Sequence, residues 1–194
     1  GGGATPPGAL PVINLDPALS VSPSEYAAAR EGGGAPHVLL DVRVPRQFDM
    51  CSLKGAVNVT LAEIFGEGSG GDGDGDDDGR DREEGSVLDK IDRLCRESAN
   101  TDTAAVTGGG NNGGGDGENV DGGAGAVVYC VCRRGVASAE AARILNEMLR
   151  ECREGAGGAS PAQKRLYPSI RGVKNVDGGL NAWSDEVDPS FPRY

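Results

Sequence analysis

The stretch VVYCVCRRGVASAEAARIL, Val127 to Leu145, passes from a β-prone run to a helix-prone one through a few loop residues. Val127, Val128 and Val131 are β-branched and, with Tyr129, favour an extended, buried strand. The run stops at Cys132. Arg133, Arg134 and Gly135 follow, and ASAEAARILNEMLRE then reads as an amphipathic helix with Ala141, Ile144, Leu145, Met148 and Leu149 facing inward. A loop between a strand and a helix offers unpaired backbone N–H groups, and the helix amino end adds partial positive charge. Arg133 and Arg134 add two full charges. All of these favour thiolate over thiol at Cys132 and would hold an anion carried on its sulfur. The pattern suits a cysteine that attacks, or that carries a charged group. Its expected basis is a cradle of main-chain amides around the sulfur, drawn from Arg133, Arg134, Gly135, Val136, Ala137 and Ser138. Ser138 is also the expected N-cap of the helix.

The flanking sequence repeats the alternation of strand and helix. LSVSPSEYAAAR reads as a short strand and a helix, with Ser22 as N-cap, Pro23 at the first helical position and Glu25 three residues after Ser22. HVLLDV is a continuous apolar strand of the buried parallel kind, PRQFDMCSL a helical turn and GAVNV another short strand. TLAEIF starts a helix expected to run into the segment after it. In SVLDKIDRLCRES, Val87, Leu88, Ile91, Leu94 and Cys95 share one helical face. RGVKNVDGGLNAW gives a short strand, a Gly-Gly turn and a last helix. The fold class is therefore α/β, a parallel sheet flanked by helices, with its site beyond the carboxyl ends of the strands. Cys132 falls at such a position.

Composition sharpens this reading. The 194 residues carry a net charge of −11. Segment 66–85 holds a net −7 and segment 99–125 a net −4, which together account for all of it. The acidity thus belongs to two Gly/Asp-rich inserts, which are expected to be disordered because they cannot bury enough apolar surface to offset the entropy of ordering. Residues 1–18, rich in Gly, Pro and Ala, read as a linker or tail, leaving 19–194 as the domain. The acidic inserts argue against nucleic acid as a partner, since phosphates would be repelled. No apolar run approaches the ~20 residues that a bilayer crossing needs. The five cysteines are too few and too irregular for a disulfide framework, which fits a reducing, cytoplasmic compartment. The chain starts Gly-Gly-Gly without an initiating Met, which is expected of a piece of something longer.

Two reactions use an amide cradle behind a cysteine. Phosphate-ester hydrolysis needs an arginine after five intervening residues. Counted from Cys132 that position is Ser138, and from Cys130 it is Val136, so this reading is rejected. Sulfur transfer needs a smaller cradle, because a persulfide presents one sulfur and not a phosphoryl group. Here a resemblance becomes specific. LLDVR (39–43), GAVNV (55–59), VVYCVCRRGVAS (127–138) and VKNVDGGLNAW (173–183) resemble, in order and character, the rhodanese-like sulfurtransferase domains. GAPHVLLDVR, DMCSLKGAVNV, CRRG and the ending FPRY are similar to the carboxy-terminal rhodanese domain of the adenylyltransferase–sulfurtransferases.

The resemblance covers about residues 19–65, 86–98 and 126–194, and it implies that Cys132 is the persulfide cysteine. After Gly135 the family loop commonly reads Asn-Asp-Ser, where this chain has Val136, Ala137 and Ser138. The implied partners are a sulfur donor such as a cysteine desulfurase, and a ubiquitin-like sulfur carrier serving molybdenum cofactor synthesis or tRNA thiolation. An amino-terminal adenylating domain is also implied. No cofactor is implied for this domain, since ATP and zinc would belong to the adenylating half, and no Gly-x-Gly-x-x-Gly or zinc-binding Cys-x-x-Cys pair occurs here. Two other readings stay open: a single-domain thiosulfate sulfurtransferase, and an inactive rhodanese fold used for docking.

The other notable side chains have plainer expectations. Cys130 is strand core, with no metal site expected in a chain of one histidine. Asp41 and Arg43 either support the site or form a pair that buttresses loops. His37 is a surface residue, Trp183 a packing anchor and Cys51 structural.

Overall fold

The most β-prone run, Ala126–Val131, is the central strand β4 of a five-stranded, wholly parallel sheet. In the computed structural model, residues 15–32, 35–66, 86–104, 125–154 and 167–194 are described. The elements in chain order are β1 (Ser20–Val21), α1 (Pro23–Glu31), β2 (His37–Asp41), α2 (Pro45–Met50), β3 (Ala56–Asn58), α3 (Leu61–Phe65), α4 (Val87–Ala104), β4, α5 (Val136–Glu154), β5 (Ile170–Val176) and α6 (Gly179–Glu186). The strands lie in the order β1-β5-β4-β2-β3. The α/β class expected from the alternation of apolar runs is the class observed.

Strand periodicity sorts the core into two layers. Val38 and Leu40 of β2, with Ala126, Val128 and Cys130 of β4, face the layer built by Ile64 of α3, Leu88, Ile91 and Cys95 of α4, and Ala141, Leu145 and Leu149 of α5. Leu39, Tyr129, Val131 and Val176 face the opposite layer, where Tyr26 of α1 and Leu180 and Trp183 of α6 pack. Cys132 keeps the parity of Cys130. Its side chain therefore lies on the α5 side, at the helix amino end.

The local signals act where they were expected. Ser22 and Glu25 form the reciprocal capping box of α1, with Pro23 at its start. Thr60 and Glu63 do the same for α3. Three boundaries differ. Helix α3 stops at Phe65, where Gly66 takes a left-handed conformation (φ 78°) and ends it, so this helix does not run on. Helix α4 continues to Ala104, into the segment assigned to the second insert. In the stretch assigned to the tail, Leu15 packs on the core and Pro17–Leu19 forms a 3₁₀ turn capped by Asp16. The rest of the tail (1–14), residues 67–85 of the first insert and 105–124 of the second lie outside the described residues.

His37 is corrected from a surface position. Its ring is half-buried, 5.9 Å from that of Tyr26 and 6.1 Å from that of Tyr129. It opens β2 against the aromatic layer, a place set by strand pairing and not by the loop before it. Trp183 is the packing anchor expected, 6% exposed with its ring 5.9 Å from Tyr26.

Because Leu145 is fully buried between helix and sheet, Leu145→Ala should lower unfolding free energy by about 2–5 kcal/mol in urea titration. The conservative Leu145→Met should cost under about 1.5 kcal/mol.

Candidate active site

All five strands end at one edge of the sheet, and the loops leaving β2, β4 and β5 meet there. The β4 loop runs Cys132-Arg133-Arg134-Gly135 directly into α5, a helix of 19 residues. What shapes this loop is the amino end of α6. The N–H of Leu180 donates to the carbonyl of Cys132 at 2.8 Å, and the N–H of Asn181 donates to that of Arg133 at 3.0 Å. In a trans peptide the carbonyl and the next N–H point in opposite directions. Binding both carbonyls to α6 therefore turns the N–H groups of Arg133 and Arg134 away from it.

This contact needs glycine on both sides. Gly135 has φ 84°, and a Cβ there would lie 2.6 Å from the backbone nitrogen of Gly178. Gly179 has φ 60°, and its Cβ would strike the carbonyl oxygen of Cys132. Both conformations disfavour L side chains, and the backbones touch where a side chain would stand.

The sulfur of Cys132 accepts two hydrogen bonds: from the N–H of Gly135 at 3.1 Å and from the hydroxyl of Ser138 at 3.3 Å. Ser138 is fully buried and lies in the first turn of α5, which starts at Val136. It is thus not the N-cap. One turn into the helix, its hydroxyl reaches back to the sulfur. The amides of Val136 and Ala137 donate to no acceptor among the described residues, as expected for a helix start. The direct cradle of the thiol is one amide and one hydroxyl, with further N–H groups beyond, and not a closed ring of amides.

Cys132 itself is only 4% exposed. It lines a groove of about 920 Å³ with Val42, Val44, Leu61, Phe65, Val136 and Ala137 as apolar lining. Arg43, Arg133, Arg134, Gln47 and Glu140 complete the wall. Val44 and Phe65 are half-exposed in this groove (56% and 51%), an apolar lip that no sequence signal marked. A second groove of about 710 Å³ lies on the other side of Arg134–Val136, against β1 and the end of β5. Cys132 does not line it.

Asp41 and Arg43 are both buried and paired. The carboxylate accepts from the backbone N–H of Arg43 at 3.1 Å and from its Nε at 2.8 Å. Arg43 also donates to the carbonyl of Cys51 at 2.7 Å and to the hydroxyl of Tyr194. Burial opposes its charge, but the hydrogen bonds and charge of Asp41, with help from Tyr194, hold its pKa above the ordinary arginine value. Asn58 ties the same loop by donating to the carbonyls of Asp41 and Arg43, each at 2.8 Å. The pair therefore buttresses the loops, and Arg43 also lines the groove.

The other cysteines do not line the groove. Cys130 is wholly buried in the strand, as expected, and burial raises its pKa well above the ordinary thiol value, with the nearby Cys132 adding to the rise. Burial, then the charge of Asp92, pushes the Cys95 thiol up to about 12. Cys51 is partly buried, with its Sγ 4.0 Å from the carbonyl oxygen of Pro192. No cluster of three or more potential metal ligands occurs among the described residues, and no described helix is long and apolar enough to cross a membrane.

The Rhodanese-like domain family model matches residues 22–186. The chain belongs to that family, and its class is that of the rhodanese-type sulfurtransferases. Among curated proteins it is 28% identical over 180 residues to "Adenylyltransferase and sulfurtransferase MOCS3" of Dictyostelium discoideum, covering 93% of this chain and 33% of that protein. It is 30% identical over 179 residues to "Adenylyltransferase and sulfurtransferase uba4" of Aspergillus terreus, covering 90% and 27%. The chain thus spans about a third or less of the length of these relatives. Among solved structures, the human single-domain sulfurtransferase TSTD1 aligns with 12% identity and a TM-score of 0.41, over 87% of this chain and 96% of that one.

Two outcomes follow. In the native protein, iodoacetamide should modify the partly exposed Cys51 and Cys152 and spare Cys95 and Cys130 until denaturant is added, read by peptide mass mapping. Gly179→Ala should destabilise the fold by about 1–2 kcal/mol from its backbone conformation alone. By displacing the Cys132 loop it should also cut sulfur transfer about 100-fold.

Proposed function

We propose that the chain carries sulfur as a persulfide on Cys132. The observation that carries this reading is the pair of donors, Gly135 N–H and Ser138 O–H, aimed at a sulfur that lines the groove. In the first half-reaction the Cys132 thiolate attacks the outer sulfur of a donor such as thiosulfate. The donor's S–S bond breaks, sulfite leaves, and Cys132 holds S–S⁻. The terminal sulfur extends about 2 Å beyond the thiol position, towards the unpaired amides at the start of α5 and the charges of Arg133 and Arg134. In the second half-reaction a nucleophile such as cyanide takes the outer sulfur, the S–S bond breaks and the Cys132 thiolate leaves. With an acyl-adenylate the persulfide instead displaces AMP to form an acyl disulfide. A dithiol reductant then cleaves it to the thiocarboxylate and the Cys132 thiolate, itself becoming a disulfide. The apolar side chains around the sulfur lower the local polarity and so strengthen the attraction between anion and donors.

The physiological acceptor in this proposal is the carboxyl end of a ubiquitin-like sulfur carrier, activated as an acyl-adenylate by an adenylating domain. The likeness to the adenylyltransferase–sulfurtransferases supports it. A groove with apolar walls and arginines at its rim suits an extended peptide end bearing negative charge. A cysteine desulfurase is the proposed donor in the cell. ATP and zinc would serve the adenylating domain and not this one. Molybdenum cofactor synthesis and tRNA thiolation are the proposed destinations of the sulfur, in the cytoplasm.

Cys132→Ala should reduce thiosulfate-to-cyanide transfer to the uncatalysed background and abolish the one-sulfur mass gain after thiosulfate treatment. Cys130→Ala should keep most of both. A wild-type chain that gains no sulfur, or gains one that reductant does not remove, overturns the proposal in favour of a docking role.

A further inference from the structure

The arginines at the groove are not equivalent: Asp41 pairs with one of them, and Tyr194 touches two. Arg43 is neutralised by Asp41, whose carboxylate it meets through three side-chain hydrogen bonds. Arg133 has no carboxylate partner among the described residues, and its buried Nε has no hydrogen-bond acceptor there. Yet both guanidiniums lie over one ring: the central carbon of Arg133 is 5.0 Å from the Tyr194 centroid and that of Arg43 is 5.7 Å. Both distances fall within cation–π range. The Tyr194 hydroxyl is bonded to Arg43, so the ring is tied to the buried Asp41–Arg43 pair. The chain before it is anchored as well. Phe191 accepts from Ser184 at 3.3 Å through its carbonyl, and Arg193 donates to the same Ser184 hydroxyl at 3.0 Å.

We infer that Tyr194 is a positioning residue that holds Arg133, an unneutralised cation next to Cys132, at the groove wall to bind the anionic part of the sulfur donor. Tyr194 does not line the groove, whereas Arg133 does, so it acts through Arg133. An arginine side chain left to itself samples many rotamers, and fixing it beforehand removes that ordering cost from donor binding. The aromatic face suits this task. It holds a guanidinium without supplying a negative charge that would compete with the donor, as a carboxylate partner would. The inference rests on the persulfide chemistry proposed for Cys132 and adds how the donor's charge is met.

The test compares steady-state thiosulfate-to-cyanide transfer by the full chain and by Tyr194→Ala, Tyr194→Phe and Arg133→Ala, with thermal melting as a fold control. Tyr194→Ala should raise the KM for thiosulfate about three- to ten-fold, with kcat within about two-fold. Tyr194→Phe keeps the ring but loses the hydroxyl's bond to Arg43, and should raise the KM less than Tyr194→Ala does. In the Arg133→Ala background, Tyr194→Ala should add nothing further, because its route of action is already gone. Equal KM values for Tyr194→Ala and the parent overturn the inference, as does a fall in kcat at unchanged KM or additive effects of the two substitutions. A parent chain that transfers no sulfur would instead sink the Cys132 reading, so the two failures are separable.

Discussion

Two hydrogen bonds from the start of α6 decide the shape of the site. The amides of Leu180 and Asn181 take the carbonyls of Cys132 and Arg133, and peptide planarity then turns the next two N–H groups away from α6. A helix start has amides to spare and a loop has carbonyls to satisfy, so the two ends meet each other's needs without any side chain. The contact is possible because the backbones touch at Gly135, Gly178 and Gly179. The cysteine loop is therefore held from behind by the last βα turn of the sheet, and its front is left for the sulfur.

On that front, the sulfur and its donors come from one contiguous stretch, and the walls around them from elements far apart in the chain. The tip of β4 supplies the thiol, the loop one amide, and the first turn of α5 a hydroxyl and unpaired N–H groups. The β2 loop supplies a buried ion pair that is structural in its charge balance and yet walls the groove. Helix α3 and the residues before α2 add Phe65 and Val44 as an exposed apolar lip. Such a surface is too small and open to be core. It is arranged around the one cysteine whose sulfur faces the groove.

The contrast between Cys130 and Cys132 shows how little separates an inert thiol from a placed one. Both project to the same layer because strand side chains alternate. Cys130 pairs in register with Leu40 and Asn175 inside the sheet, where burial disfavours its charged form. Two residues later the ladder has ended, and the same direction leads to a helix start and a groove.

Much of this could be read before folding. The β-branched run 127–131 and the helical spacing of 141–149 demanded a strand and a buried helix, and the residues between them had to form a loop at the carboxyl edge of a parallel sheet. That placed Cys132, the charges beside it and the helix dipole, all of which depend on neighbours in sequence. The capping residues Ser22 and Glu25 were legible for the same reason. Ser138 was misassigned because its role hangs on where α5 begins, a boundary set by the left-handed Gly135 and its packing on Gly178. His37 was misplaced because strand pairing carried it against Tyr26 and Tyr129. Tyr194 was visible only as part of a familiar ending; its proximity to Arg43 and Arg133 spans up to 151 positions. Local pattern determined the elements, the fold class and the cysteine at the strand tip, since periodicity and capping act within a few residues. The two donors to the sulfur lie within six residues of Cys132, but the groove it faces and the residue that holds Arg133 were decided by tertiary contacts, because no short-range rule brings such distant segments together.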